Sequence, residues 1–421
     1  MDMRSTDCRI GLWARVRVRL LASIASVALA LVGGIAPPGA ATVLARSRAG
    51  ETVATGLDNP RGLVLLGDHT LVVGEAGHAG PVCLAPGQCL GLNGQVTRLE
   101  LGERERSVLA SGLPSFSGPF GAFGIGGVAV QDGQLFFVVG LNPQSFGNPA
   151  DDCQGQADVS ACIALVTTFV RESGRLDRVA SLHANHGWHH VADVGRFDFD
   201  YAAQHPDPGN PEFTPGDADP FGLMAGPSDG FYVVDAASNT LDFVSRAGKI
   251  RVLAPVPDPP THQPIFDAAP TCAARLPNGD LIIGTESNRL WRWDGHALTQ
   301  VLEGGKIGQV IGCTADRHGN LLVANLTSQI RGSFPNFNEK PFDGSIVKVT
   351  PRLVTSFVAT GLNYPTGLTL GEDGALYVAV NGLCPKDLAL LTSDNSPPGA
   401  CPEPGKVVRF HLQDDDQQLP Q

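Results

Sequence analysis

One phrase occurs at both ends of this chain, as VATGLDNPRGL from Val53 to Leu63 and as VATGLNYPTGL from Val358 to Leu368. Repeated text marks repeated structure. Between the copies a looser unit returns, an apolar strand, a tight turn and a second apolar strand. It reads GLVLLGDHTLVVGE from Gly62, GVAVQDGQLFFVVG from Gly127, GLMAGPSDGFYVVD from Gly222, CAARLPNGDLIIGT from Cys272, GCTADRHGNLLVAN from Gly312 and GLTLGEDGALYVAV from Gly367. Apolar runs split by Asp-Gly or Asn-Gly are hairpin signals. Two more strands follow each hairpin, as in TLDFVSRAGKIRVLAPV and RLWRWDGHALTQVLE. Four strands per unit and six units predict an all-β fold, a six-bladed β-propeller.

The last unit holds three strands and ends at GKVVRFHL, Gly405 to Leu412. Its missing outer strand is ETVATGL, Glu51 to Leu57, because TSFVATGL closes the fifth unit. The N-terminal strand is therefore expected to complete the last blade, which leaves no sheet edge open at the seam. The domain is placed at residues 51–412, with a disordered acidic tail at 413–421.

Unit starts are spaced unevenly, so a minimal blade carries insertions. The extra length falls between second and third strands, at Glu75 to Gly94, Gly140 to Cys162, Asn325 to Gly344 and Asn381 to Gly405. The largest insertion, His183 to Asp219, joins blades two and three. Turns between first and second strands, and between third and fourth, read as short. One face thus collects the long loops, and function is expected there.

Residues 1–45 read as a cleaved signal peptide. Five arginines precede an apolar run from Leu20 to Ile35, too short to span a bilayer, and small residues follow. The chain is expected in the periplasm or secreted, with no stable membrane span after cleavage. Net charge is −12, and removing the leader makes the remainder more acidic. No basic cluster is present, which excludes nucleic acid as a partner.

Eight cysteines follow the leader, and an even count in an exported chain points to disulfides. Cys83 and Cys89, Cys153 and Cys162, and Cys384 and Cys401 are close in sequence and fall within the long loops. Cys272 and Cys313 open the innermost strands of neighbouring blades, where they either bridge or remain two buried thiols. A zinc site would lack the C-x-x-C spacing such sites use.

NPRGL, the exported propeller and the run DADPFGLMAGPSDGFYVVDAASNTLDFVSRAGKIRVLAPVP from Asp217 to Pro257 together resemble the ScyD/ScyE family. These are exported bacterial NHL-like propellers associated with the gene cluster for the pigment scytonemin. The Pro220-Phe221-Gly222-Leu223 strand, the Val233-Val234-Asp235-Ala236 turn with Asn239, and the Cys83–Cys89 insertion carry the likeness. It implies the fold and export but supplies no catalytic residues. HANHGWHH and the Pro-rich stretch after it depart from the family's pattern.

Aligned ends of second strands place Glu75, Asp235, Thr285 and Asn325 at equivalent positions on one rim. Converging carboxylate and amide oxygens suit Ca2+, and Glu75, Asp235 and Asn325 are the candidate ligands. Polar residues also end strands simply to satisfy turn amides. His183, His186, His189 and His190 form a second cluster. One helical turn would bring His186 to His189 or His190, with His186 and His190 as candidate ligands for a transition metal, and Asp193, Asp198 and Asp200 follow. A solvated histidine-rich loop is the plainer alternative. No G-x-S-x-G, Walker loop or H-E-x-x-H occurs, and GAFGIGG at Gly121 to Gly127 precedes a strand, not a helix. Trp291 and Trp293 are expected to pack between blades.

The expected function is a non-enzymatic binding or accessory protein for a small molecule, glycan or partner protein on the looped face, acting as a monomer. The alternative is a Ca2+-dependent hydrolase, lactonase or lyase at the channel rim. A quinoprotein-like dehydrogenase fits less well, because the rim lacks a His and Arg set for an anionic redox cofactor.

Overall fold

The computed structural model describes residues 50–412 except 79, 86–87, 104, 119–120, 142–143, 145–147, 183–186, 207–215, 228, 260–266, 329–331, 334–335, 338–339 and 385–400. The leader at 1–45 and the tail at 413–421 lie outside the described residues.

Six antiparallel sheets make six blades. Their inner strands are Pro60–Leu66, Ile125–Gln131, Pro220–Ala225, Pro270–Arg275, Val310–Ala315 and Leu368–Leu370. Each inner strand touches the next, and the sixth touches the first, so the ring is closed. The last blade takes its outer strand from the other end of the domain. Glu51–Leu57 pairs antiparallel with Gly405–His411, from Glu51 opposite Arg409 to Leu57 opposite Gly405.

The ring has no single core. Six apolar clusters lie one at each seam between blades, such as Phe136 and Leu176 against Phe231 and Val233, or Leu57 and Tyr377 against Leu71 and Val73. Each blade is therefore covered on both faces. This explains why second strands such as GFYVVD, LLVAN and ALYVAV are buried at every position instead of alternating. Trp291 and Trp293 pack in the seam between blades three and four, as expected.

Inner strands approach one another at glycine. A Cβ on Gly62 would lie 2.7 Å from the Val128 amide nitrogen, and one on Gly222 would lie 2.6 Å from the Thr271 carbonyl oxygen. Gly126, Gly312 and Gly367 are likewise pressed against neighbouring carbonyls. The glycine that opens most of the repeated hairpins is thus a spacing device for the axis. Blade four has Cys272 instead, bonded to Cys313 of blade five. The other bridges join Cys83 to Cys89, Cys153 to Cys162 and Cys384 to Cys401.

Blade two departs from expectation. The insertion after Gly140 runs on to Gly174 and contains helices α1, Pro149–Asp152, and α2, Val159–Glu172. Cys162, Val166 and Phe169 recur at helical spacing and are buried. The Asp158 side chain accepts from the Ala161 amide at 2.9 Å and starts the helix. The third strand is Arg175–Val179 and the fourth is Trp188–Asp193, paired with Asp177 opposite His190. The turn between them is therefore long, and the link to blade three begins only at helix α3, Val194–Gln204. A seventh apolar cluster seats α2 beneath the Cys83–Cys89 hairpin, with Val82 and Leu90 against Val166 and Phe169.

Candidate functional site

Residues of all six inner strands line the axis, three from each, including Arg61-Gly62-Leu63, Thr271-Cys272-Ala273 and Thr366-Gly367-Leu368. The cavity they enclose is about 80 Å3, room for a few waters. Its polar side chains are used by the ring itself. Thr366 donates to the Pro60 carbonyl at 2.7 Å, Thr271 to the Val310 carbonyl at 2.8 Å and Arg61 to the Ala122 carbonyl at 2.6 Å. A ligand larger than a few waters has no room at this depth.

The four rim positions stand where the alignment puts them, and all four are fully buried. Each ends a second strand and grips the segment that leads into the inner strand of its own blade. Glu75 accepts from the Asp58 amide at 2.6 Å, from Gln95 at 2.8 Å and from the Thr97 hydroxyl. Asp235 accepts the Asp219, Ala237 and Ser238 amides on one oxygen. Asn325 accepts the Gly308 amide at 3.0 Å and donates to Lys306 and Ser345. Thr285 holds Ser287, whose hydroxyl donates to the Ala268 carbonyl at 3.1 Å. Asn381, not picked out by the alignment, does the same in blade six, taking the Asn363 side chain at 3.1 Å.

Burial pushes the Glu75 carboxyl up, against the lowering pull of Gln95, Thr97 and the Asp58 amide. Asp235 is raised by burial too, although three amides oppose it. Most of these oxygens already hold the segment entering their own blade, at most one such residue per blade, which does not suit the six to eight oxygens of a Ca2+ cage. Among the described residues no three His, Cys, Asp or Glu side chains are grouped to hold a metal ion.

The histidine cluster is divided. His183 and His186 lie outside the described residues. His189 and His190 are neighbours on the outer strand of blade two and not on a helix, so they point to opposite faces. His190 meets Asp177 at 3.2 Å on the outer edge of its blade. Asp200 pairs with Arg196 on α3, while Asp198 is fully buried.

What sequence reasoning missed is a carboxylate–imidazole pair on the looped face. Asp58 Oδ2 lies 2.5 Å from His78 Nδ1. Asp58 is 1% exposed and the His78 side chain 18%. The backbone fixes both partners. Asp58 is anchored by its amide on Glu75, and the Asn93 side chain accepts from the His78 amide at 2.8 Å. The Ser115 hydroxyl lies 2.6 Å from the Asn93 side-chain oxygen and 3.1 Å from the His78 carbonyl, which share its one proton. Asn59 donates to the Gly77 carbonyl at 2.6 Å, and among the described residues its own Oδ1 is buried without a donor. With Nδ1 turned to a carboxylate, Nε2 is the ring nitrogen left to accept a proton, the arrangement of an oriented general base.

A signal for this pair does exist in the repeated phrase. Asp58 aligns with Asn363 and Arg61 with Thr366. The backbone requirement is shared, since Asn59 and Tyr364, which follow, both take positive φ, 51° and 43°. The two copies therefore differ where side-chain chemistry is free to differ, and Asp58 is one such place.

No protein-family model and no curated protein sequence matches the chain. Among solved structures it is similar to regucalcin, a calcium-binding protein of Agrobacterium tumefaciens, at 12% identity, covering 86% of this chain and 94% of that one with a TM-score of 0.48. It is similar to a luciferin-regenerating enzyme at 12% identity, covering 86% and 92% with a TM-score of 0.47. It is similar to a streptogramin B lyase at 12% identity, covering 87% and 97% with a TM-score of 0.41. The six-bladed assignment itself rests on the sheet order and on the contacts that close the ring.

Proposed function

We propose that this is an exported propeller of the ScyD/ScyE type that takes a small polar ligand on its looped face, where Asp58 and His78 form a proton-transfer pair. The observation that carries this reading is a mostly buried but still accessible imidazole held at 2.5 Å by a buried carboxylate. His78 Nε2 takes a proton from water or from a carbon acid, and Asp58 steadies the imidazolium that results. That chemistry suits an ester or lactone hydrolase, or a lyase. The orphaned Asn59 oxygen beside the pair offers an acceptor for a ligand hydroxyl or amine. Export is supported by four disulfides. Among the described residues no helix is long and apolar enough to cross a membrane.

The test is hydrolysis of δ-valerolactone and p-nitrophenyl acetate by the mature protein, with His78→Ala and Asp58→Asn beside it. Loss of the general base should lower the rate by about 10²–10⁴-fold, and Asp58→Asn should lower it through loss of ring orientation. Equal rates for the wild type and His78→Ala would sink the proton-transfer role and leave a binding protein for a small molecule, glycan or partner. The calcium-dependent alternative requires Glu75, Asp235 and Asn325 to release the amides they hold. Loss of rate on adding chelator would favour it; an unchanged rate supports the metal-independent pair.

A further inference from the structure

Helix α3, in the link between blades two and three, sends Asp198 inward, where it is fully buried. Among the described residues no donor reaches either of its carboxylate oxygens. Its neighbours are the carboxyls of Asp242 and Asp235, also fully buried. Asp235 gives Oδ1 to amides at 2.8, 3.0 and 2.8 Å, while its Oδ2 has no donor. Asp242 takes the Thr240 hydroxyl on Oδ2 at 2.7 Å, while its Oδ1 has none. Four buried carboxylate oxygens thus face one another across the joint between α3 and blade three.

Three full charges cannot coexist there, since like carboxylates in contact share protons. The surrounding charged groups are occupied elsewhere. On the third strand of blade two, against which α3 packs, Arg175 faces Glu172 at 3.7 Å and Asp177 faces His190. Arg196 of α3 pairs with Asp200 on its exposed side, and Tyr201 stacks on His205. In the link, Arg61 and Asp217 act on Asp219. No cation is among the groups that act most strongly on Asp198, Asp235 or Asp242.

We propose that α3 is latched to blade three by protons shared among Asp198, Asp235 and Asp242, and that the latch opens as pH rises. One proton lies between Asp198 and Asp235 Oδ2, and a second between Asp198 and Asp242 Oδ1. All four orphaned oxygens are then paired. The remaining negative charge rests on Asp235, where three amides hold it.

The direction follows from burial, which pushes Asp198 and Asp242 well above the ordinary Asp range. A carboxyl whose folded value exceeds its unfolded value holds more protons when folded, so its contribution is complete below the unfolded value and fades as pH rises through the folded one. Asp219, whose amide binds Asp235, is itself pushed up to about 7 by burial. Its carboxylate also accepts the Leu141 amide of the blade-two insertion at 2.8 Å, so opening loosens an anchor of the looped face.

Hydrogen–deuterium exchange of the mature protein at about pH 6 and about pH 9, corrected for intrinsic rates, tests the latch. Protection over 194–204 should fall by roughly tenfold per pH unit within the window, while the strands of blade four stay protected. Infrared spectra should show a protonated carboxyl band at the lower pH that fades at the higher. Asp198→Asn carries its own donor and should keep α3 docked at both. Equal protection of wild-type α3 at the two pH values would overturn the proposal. So would release of α3 by chelator at the lower pH with recovery on adding Ca2+, because a cation would then hold the carboxylates.

Discussion

Gly367→Ala is expected to destabilise the protein by about 3 kcal/mol, the upper part of the range for overpacking a close-packed site. The added Cβ would fall inside contact distance of the Arg61 carbonyl oxygen and 2.9 Å from its carbonyl carbon. Both atoms are backbone, so no side chain can swing away. The contact also crosses the seam where the two ends of the domain meet. Gly367 is in blade six and Arg61 in blade one, and Thr366 beside it donates to the Pro60 carbonyl at the same junction. The damage should therefore appear first as faster hydrogen exchange in Glu51–Leu57 and Gly405–His411, and as a lower denaturation midpoint. A shift within about 0.5 kcal/mol of wild type, the range for ordinary surface changes, would mean that the seam has slack the geometry does not show.

That glycine illustrates how much was legible in the sequence. The opening Gly of five of the six hairpins announced the unit, and the repeated VATGL phrase announced the closure, because both patterns are local in the chain. Why glycine is needed was not legible, since the clash is with a strand in the neighbouring blade. Blade two was misread for a related reason. Leu165, Val166, Thr167 and Thr168 look like a strand when read alone, and only the spacing of Cys162, Val166 and Phe169 shows the helical face that the Cys83–Cys89 hairpin covers.

The rim residues show the converse. Alignment placed Glu75, Asp235, Thr285 and Asn325 correctly but could not tell what their oxygens face. In five of the six blades the incoming segment turns its amides or carbonyls toward the end of the second strand, and a polar side chain there satisfies them, while blade two ends its second strand at Val139. The Asp58–His78 pair was hidden because its members are 20 residues apart on opposite sides of a hairpin, with no fixed spacing to recognise. The two copies of the repeated phrase held the clue. Where Asn363 binds Asn381, Asp58 binds an imidazole, so one scaffold position serves packing in blade six and is available for chemistry in blade one.

Replacing Cys272 and Cys313 together by alanine should cost about 4 kcal/mol, whereas the same change at Cys83 and Cys89 should cost about 2 kcal/mol. The difference comes from the unfolded chain. Cys272 and Cys313 are 41 residues apart, Cys83 and Cys89 only 6, and a crosslink removes more freedom the longer the loop it closes. The folded side of the comparison points the same way. Cys272 occupies the place that glycine holds in the other inner strands, and its sulfur ties blade four to blade five among Ile282, Val310 and Val323. The 83–89 bridge instead joins directly opposed residues of a hairpin that the strand pairing already holds. Denaturant midpoints of the two double variants, each measured with and without reductant, decide the order. If the 83–89 variant proves the less stable, the looped face and not the axis is where the crosslinks contribute most, and the hairpin over α2 becomes the element on which folding depends.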